Sequence, residues 1–167
     1  MTLSLRPLRR DDASWLQGWL PAVARSVGHD DLAHEGGVGG LLDRLGQERS
    51  LRARIVALGG EEVGIVVYRA GFPRRGASLF EMVAVAPEHA RRGAGLGAAG
   101  LVEQELQVEG MRMVYAPAPA IHGIDVYFWI RLGYRPLLRD AWPCALPGVA
   151  WLVREIAPQT KGRRVPR

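Results

Sequence analysis

The sequence predicts an α/β fold built on a mixed, mostly antiparallel sheet. The predicted elements follow the order β, α, α, β, β, β, α, β, α, β, β. Three consecutive strands with short connections favour antiparallel pairing, and the strand–helix–strand unit after them favours one parallel pair. The chain has 167 residues and no linker-like composition interrupts the predicted elements, so residues 1–157 are expected to form a single domain.

The first half of the chain supplies the antiparallel strands. Residues 3–8 alternate apolar and polar side chains, which is typical of a half-buried strand. A helix is predicted next, with Asp11 or Asp12 as its N-cap. A Gly-Gly pair between two later apolar segments predicts a tight turn. The other elements expected here are a loop over residues 27–40, a short amphipathic helix over 41–50, and strands over 51–58 and 61–70.

The second half supplies the parallel pair. A strand over residues 78–87 ends at Pro87, and the helix that follows from residue 98 is closed by Gly110. Another strand and a helix stopped by Gly133 come next, and two closing strands complete the sheet. Residues 158–167 are basic and poor in apolar side chains, which predicts a disordered tail.

Composition narrows the class of protein. Hydrophobic residues make up 48% of the chain, no apolar run reaches membrane-spanning length, and nothing at the start resembles a signal peptide. Cys144 is the only cysteine, which precludes an intramolecular disulfide and favours a cytoplasmic protein. The net charge of +5 is dispersed along the chain, which argues against a nucleic-acid interface. No residue spacing predicts a metal site.

The stretch ARRGAGLGAAGL contains glycines that fit two patterns. Gly95, Gly97 and Gly100 match the dinucleotide-binding pattern G-x-G-x-x-G. Three observations argue against a dinucleotide site. The glycines do not follow the strand directly, and too few residues remain after them for a dinucleotide-binding fold. The next strand also lacks the acidic residue that such a fold uses to bind the ribose. A Walker A loop is excluded because no Gly-Lys-Ser/Thr follows.

The second pattern in the same stretch is Arg92-x-x-Gly95-x-Gly97, placed between a predicted strand and a predicted helix. Glycines let the backbone approach a ligand closely, and the unpartnered N–H groups of a helix start attract anions. Arg91 and Arg92 add positive charge. The loop is therefore predicted to bind the pyrophosphate of a nucleotide-bearing carrier, and a purely structural role in helix packing is the alternative.

This loop resembles the acetyl-CoA signature of the GNAT N-acetyltransferase superfamily. The likeness lies in VAVAPEHARRGAGLGAAGL, and HGIDVYFWIRLGYRP resembles the second motif of the family in outline. In that second motif Trp129, Asp125 and His122 stand where the family usually has Tyr, Ala and Asn. The resemblance implies a sheet of about six to seven strands, helices on both faces, and a splayed parallel pair at the CoA site.

The resemblance further implies an enzyme that transfers an acetyl group from acetyl-CoA to a primary amine by direct attack, without a covalent intermediate. A non-catalytic acyl-CoA-binding module is the alternative, because the usual Tyr is missing. The expected partners are acetyl-CoA and an amine acceptor, either a small molecule or a protein amine, with no membrane and with a homodimer as one possible assembly. Polar residues 29–35 form either a site for a cationic amine or a solvated loop. The residues implied to bind the cofactor are Val83, Ala84, Val85, Arg91, Arg92, Gly93, Ala94, Gly95, Leu96, Gly97, Ala98 and Trp129.

Three residues are candidates for proton transfer. Glu81 shares strand parity with Val83 and Val85 unless a bulge intervenes, and burial on an apolar face would raise its pKa toward that of a useful base. A carboxylate held in a salt bridge is the alternative. His122 is a candidate acid, base or cofactor contact, or else a surface histidine. Tyr127 is a candidate acid, although it lies two residues before the usual position.

Overall fold

The computed structural model describes residues 2–27, 29–34, 36–120, 123–138 and 148–157. The order of its elements is the predicted one. His122, Cys144 and the predicted tail over residues 158–167 lie outside the described residues. The helices and strands are β1 (Leu3–Pro7), α1 (Ala13–Ser26), α2 (Gly37–Gln47), β2 (Leu51–Leu58), β3 (Glu61–Ala70), β4 (Ala77–Val85), α3 (Ala94–Val108), β5 (Met113–Pro119), α4 (Gly123–Arg131), β6 (Arg135–Pro136) and β7 (Val149–Glu155).

The strands form one seven-stranded sheet in the order β1-β2-β3-β4-β5-β7-β6. Neighbouring strands are antiparallel except for β4 and β5, which run parallel. β3 lies inside the sheet, and residues 63–68 are all buried because both of its faces are covered. These features confirm the predicted fold class.

The parallel pair is splayed. Ala77–Leu79 of β4 pair with Met113–Tyr115 of β5, and the register between the two strands then ends. β4 continues to Val85, whereas β5 remains paired with β7 as far as Pro119. A gap therefore opens between the carboxyl ends of β4 and β5, as the family resemblance implies.

Glu81 is the extra residue of a β-bulge in β4, because Phe80 and Met82 oppose consecutive residues of β3. Met82 packs into the core beneath α1 and α2, whereas Val83 and Val85 pack against the core beneath α3. Glu81 contacts α2. Glu81 therefore does not share a face with Val83 and Val85, because the bulge, which was the stated exception, reverses the alternation of faces.

The helices cover both faces of the sheet and depart from the predicted bounds in two places. α2 begins at Gly37 instead of residue 41, and α3 begins at Ala94 instead of residue 98. The prediction of a loop up to residue 40 is wrong because burial of Val38 and Leu41 outweighs the low helix propensity of the glycines between them.

Asp12 occupies the N-cap position of α1 but makes no side-chain capping bond to it. Its carboxylate oxygens instead accept hydrogen bonds from the Arg6 guanidinium at 2.7 and 2.9 Å and from the Arg9 backbone N–H at 2.7 Å. The Arg6 contact lowers the pKa of Asp12 below its ordinary value. This pair fastens the start of α1 to β1.

Candidate functional site

The loop between β4 and α3 presents its backbone as a cradle for an anion. Arg91 and Gly93 both have left-handed backbone conformations, with φ of 64° and 81°. Such residues beside a helix start turn successive N–H groups toward one side. The first N–H groups of a helix have no partner within it, and no side chain caps the start of α3 at Ala94. These amides are therefore suited to donate hydrogen bonds to a phosphate group.

A cleft of about 510 Å³ lies between this loop and α4. Its volume is in the range of small-molecule sites. Among the described residues its lining includes two arginines and one histidine but no carboxylate, so its charge suits an anionic ligand. The lining residues are Val83, Val85, His89, Ala90, Arg91, Gly93, Ala94, Gly95, Leu96, Ile124, Tyr127, Phe128 and Arg131.

Gly95 and Gly97 have different roles in this loop. A Cβ added at Gly95 would lie 3.4 Å from the Phe128 ring and 3.5 Å from Cγ2 of Val85, both of which line the cleft. A longer side chain at Gly95 would therefore enter the cleft. A Cβ at Gly97 would lie 2.6 Å from Cδ2 of Leu3, so Gly97 instead permits the close packing of α3 on β1.

Five of the residues implied to bind the cofactor are not among those lining the cleft. The side chain of Ala84 belongs to the core on the opposite face of the sheet, and Ala98 is fully buried on the inner face of α3. Arg92 and Gly97 are exposed outside the lining. Trp129 is 5% exposed and packs into the core with the rings of α4 and its neighbours. The structure thus brings Arg91, and not Arg92, to the cleft.

One face of α4 forms the wall opposite the loop, and the sequence interpretation found only Tyr127 of it. Ile124, Tyr127, Phe128 and Arg131 follow the spacing i, i+3, i+4, i+7 and share that face. The side chains of Ile124 and Tyr127 are 82% and 61% exposed, although both are large and partly or wholly apolar. The Arg131 guanidinium lies 5.9 Å from the centre of the Tyr127 ring. An exposed apolar surface of this kind marks a binding face.

A second, smaller cavity of about 150 Å³ lies where β4 and β5 separate. Val83, Ile124 and Phe128 line both this cavity and the cleft, so the two spaces adjoin. Among the described residues its ionisable side chains are two carboxylates and one histidine, with no lysine or arginine. The carboxylate oxygens can accept hydrogen bonds from an amine, and that of Glu81 is also paired with two arginines. The lining residues are Val27, His29, Glu81, Met82, Val83, Pro117, Pro119, Ile124, Asp125, Phe128 and Trp129.

The carboxylate of Glu81 makes the salt bridges that were the alternative to a catalytic role. It lines the second cavity, and it is also paired with two guanidinium groups. Nη2 of Arg44 lies 3.0 Å from Oε2 and 3.3 Å from Oε1, and Nε of Arg69 donates to Oε1. Its side chain is 21% exposed. Tyr127, by contrast, lies in the cleft, and His29 is the histidine that lines the second cavity among the residues that the structure describes.

A buried polar network centres on Glu103 of α3. The Tyr134 hydroxyl donates to Oε1 of Glu103 at 2.7 Å, and Nη1 of Arg154 donates to Oε2 at 2.7 Å. The Glu103 side chain is 6% exposed, and burial raises the pKa of its carboxyl above the ordinary value despite both donors. Burial likewise raises the pKa of Tyr134. The network joins α3, which follows the loop, to β7 and to the segment between α4 and β6.

Comparison with known proteins gives matches at the level of structure alone. No family model matches the sequence, and no curated protein is significantly similar to it. An acetyltransferase from Thermus thermophilus superposes with a TM-score of 0.78 at 23% identity, over 93% of this chain and 98% of that one. A GNAT-family acetyltransferase from Staphylococcus aureus gives a TM-score of 0.69 at 12% identity, over 92% and 99% of the two chains.

The chain has the GNAT fold. The likeness extends to a spermidine N-acetyltransferase from Vibrio cholerae, solved with CoA and spermine, which gives a TM-score of 0.71 at 14% identity over 92% of this chain and 95% of that one. The resemblance read from the glycine loop is thereby confirmed as a likeness of fold. In the part of the chain that the structure describes, no helix is long and apolar enough to cross a membrane.

Proposed function

We propose that this protein with a GNAT fold is an N-acetyltransferase that transfers an acetyl group from acetyl-CoA to a primary amine. The observation that carries the proposal is the junction of the two cavities at Val83, Ile124 and Phe128. One side of the junction is cationic and has a phosphate cradle, and the other side is lined by carboxylates. A thioester on the first side and an amine on the second would therefore meet in the gap of the sheet.

The residues present fit the cosubstrate. The loop amides from Gly93 onward and the Arg91 guanidinium would hold the pyrophosphate. Pairing between β4 and β5 ends at Leu79, which leaves the β4 edge at residues 83–85 available to the amide groups of the pantetheine arm. The exposed apolar side chains of α4 would cover the other side of that arm. These assignments follow the family resemblance and the cleft geometry together.

The reaction needs a neutral amine, an acceptor for its proton and a donor for the departing thiolate. The amine nitrogen attacks the thioester carbonyl, the C–S bond breaks, and the nitrogen loses one proton. Glu81 would accept that proton, directly or through water, because its carboxylate lines the second cavity, which we call the acceptor cavity. Tyr127 would protonate the thiolate, because its side chain lies in the cleft on the side of the thioester.

The alternative is a module that binds acyl-CoA without turning it over. Two observations favour it. Trp129 is buried in the core where the family usually has a proton-donating Tyr, and both oxygens of Glu81 already accept hydrogen bonds from arginines. Such a module would keep the loop and the cleft but show no catalysis.

Two measurements separate these functions. CoA should raise the melting temperature of the protein, and free CoA should be released from acetyl-CoA when a suitable amine is added. The amine panel should contain aliphatic and aromatic monoamines, polyamines and peptide amines, since the acceptor cavity does not identify one of them. Binding of CoA without release by any amine would favour the module. Absence of CoA binding in the folded protein would contradict both proposals.

A further inference from the structure

The Glu81 carboxylate belongs to a closed ring of four charged side chains. Arg44 of α2 contacts Glu81 with Nη2 at 3.0 Å and contacts Glu48 with Nε at 3.1 Å. Arg69 of β3 contacts Glu81 with Nε and contacts Glu48 with Nη2 at 2.6 Å. Each carboxylate therefore binds both arginines, and each arginine binds both carboxylates. Asp31 lies outside the ring, 3.6 Å from Nη1 of Arg44.

Both arginines of this ring are anchored from further directions. Arg69 is only 17% exposed, donates to the Ser50 hydroxyl at 3.3 Å, and lies 5.3 Å from the centre of the Phe72 ring. Arg44 contacts Asp31 as well as the two glutamates. An arginine that is already fixed loses less conformational entropy when it binds one more carboxylate. The ring is therefore a more rigid support for Glu81 than an isolated surface ion pair would be.

The ring and the bulge act on the same residue. The bulge places Glu81 on the face of the sheet that α2 covers, and the ring joins it there to α2 and β3. The carboxylate also lines the acceptor cavity. Its position relative to the gap between β4 and β5 is therefore set by side chains that do not themselves line either the cleft or that cavity.

We infer that Arg44 and Arg69 are positioning residues, which hold the Glu81 carboxylate at the acceptor cavity through a ring closed by Glu48. This inference rests on the proposed function in one respect, namely that Glu81 accepts the proton of the amine. Without the ring, the Glu81 side chain would be free to change rotamer. A displacement of about 1 Å at a reacting group can lower a rate on the order of a hundredfold.

The test uses Arg44→Gln, which opens the ring, and Arg44→Lys, which keeps the charge but not the fork of donors. Arg54→Gln is the matched control, because Arg54 binds Glu105 at 3.1 Å, is similarly half-buried, and lines neither space. In Arg44→Gln, kcat should fall about tenfold or more, while KM for acetyl-CoA stays within about twofold of its original value. Arg44→Lys should recover part of the loss, and Arg54→Gln should keep the original kcat.

A double-mutant cycle connects the effect to Glu81. If Arg44 acts through Glu81, Arg44→Gln should have little further effect on kcat in a Glu81→Gln background. Independent, multiplying losses would overturn the inference, as would an equal loss of kcat in Arg54→Gln.

The contacts within the ring can also be detected without an activity assay. The guanidinium N–H signals that face Glu81, from Nη2 of Arg44 and Nε of Arg69, should shift in ¹⁵N spectra of Glu81→Gln, and the guanidinium signals of Arg54 should not. Unchanged signals for Arg44 and Arg69 would overturn the inference even if the enzyme is active. If no amine is turned over but these signals shift, the proposed function fails and the ring stands as a structural support.

Discussion

Gly95→Glu separates binding at the phosphate loop from stability of the fold. Gly95 is the second residue of α3, and a Cβ there would make ordinary contacts at 3.4 to 3.5 Å with Phe128 and Val85. The added carboxylate would extend into the cleft that Arg91 and the loop amides form. Gly100→Glu is the matched control, because it makes the same change later in α3, where a Cβ would meet nothing within 4 Å.

The two substitutions should differ in CoA binding. A carboxylate about 4 Å from a phosphate charge costs about 4 kcal/mol at the effective dielectric constant near a protein surface. That energy corresponds to a loss of affinity of about a thousandfold. Stability should change in the other direction. Replacing glycine in a helix gains up to about 1 kcal/mol, and an acidic side chain in the first turn adds about 0.3 to 1 kcal/mol.

Calorimetric titration with CoA and thermal unfolding without ligand measure the two quantities. We expect Gly95→Glu to abolish measurable CoA binding while the ligand-free melting temperature stays equal or rises. Gly100→Glu should keep the original affinity. Normal CoA affinity in a folded Gly95→Glu protein would refute the assignment of the loop as the pyrophosphate site. An equal loss of CoA affinity in both variants would mean that added negative charge anywhere on α3 weakens binding, and that the position of Gly95 beside the cleft is not decisive.

Three further predictions concern single side chains. Arg91→Gln should lower the affinity for CoA about tenfold and leave the affinity for a pantetheine analogue unchanged. Arg92→Gln should lower the affinity for CoA less, because of these two arginines only Arg91 lines the cleft. Equal effects of the two substitutions in titrations would contradict this. Glu81→Gln should keep CoA affinity and lower turnover on the order of a hundredfold to ten-thousandfold, and near-normal turnover would assign Glu81 a structural role. Burial raises the pKa of Glu103 above its ordinary value. Protonation of Glu103 therefore contributes fully to stability when the pH is below the ordinary pKa, and this contribution is lost as the pH rises through the raised pKa. The unfolding free energy of wild type relative to Glu103→Gln should therefore fall with rising pH in that window, and a constant difference in pH-dependent denaturation would contradict the burial effect.

The shape of the loop that we propose binds phosphate was predictable, because the residues that form it are local in the sequence. Glycines, arginines and the start of an apolar helix follow one another within a few residues, and the left-handed conformations at Arg91 and Gly93 arise within the same stretch. The choice between Arg91 and Arg92 was not predictable. The choice depends on which of the two adjacent side chains the turn directs toward α4, and both of them are arginine.

The acceptor side could be predicted only in part, because it is built from residues that are distant in sequence. Glu81 was identified from its own strand, but Arg44 lies 37 positions away and Arg69 lies 12 positions away. Their meeting depends on how α2 packs on the sheet and on the register between β3 and β4. The face of α4 had a readable signal in its helical spacing, but that period alone does not tell a cleft wall from a core face.

Under the proposed function, the bulge at Glu81 would allow one strand to contact two reactants. In a regular strand Glu81, Val83 and Val85 would lie on one face, and a base for the amine would point into the cofactor cleft. The inserted residue turns Glu81 toward α2 and leaves Val83 and Val85 beside the loop glycine Gly95. Because β5 diverges beyond Leu79, both faces of β4 then open into the same gap. In the proposed function, the acceptor and the cosubstrate would thus approach the gap from opposite sides, with the acetyl group between them.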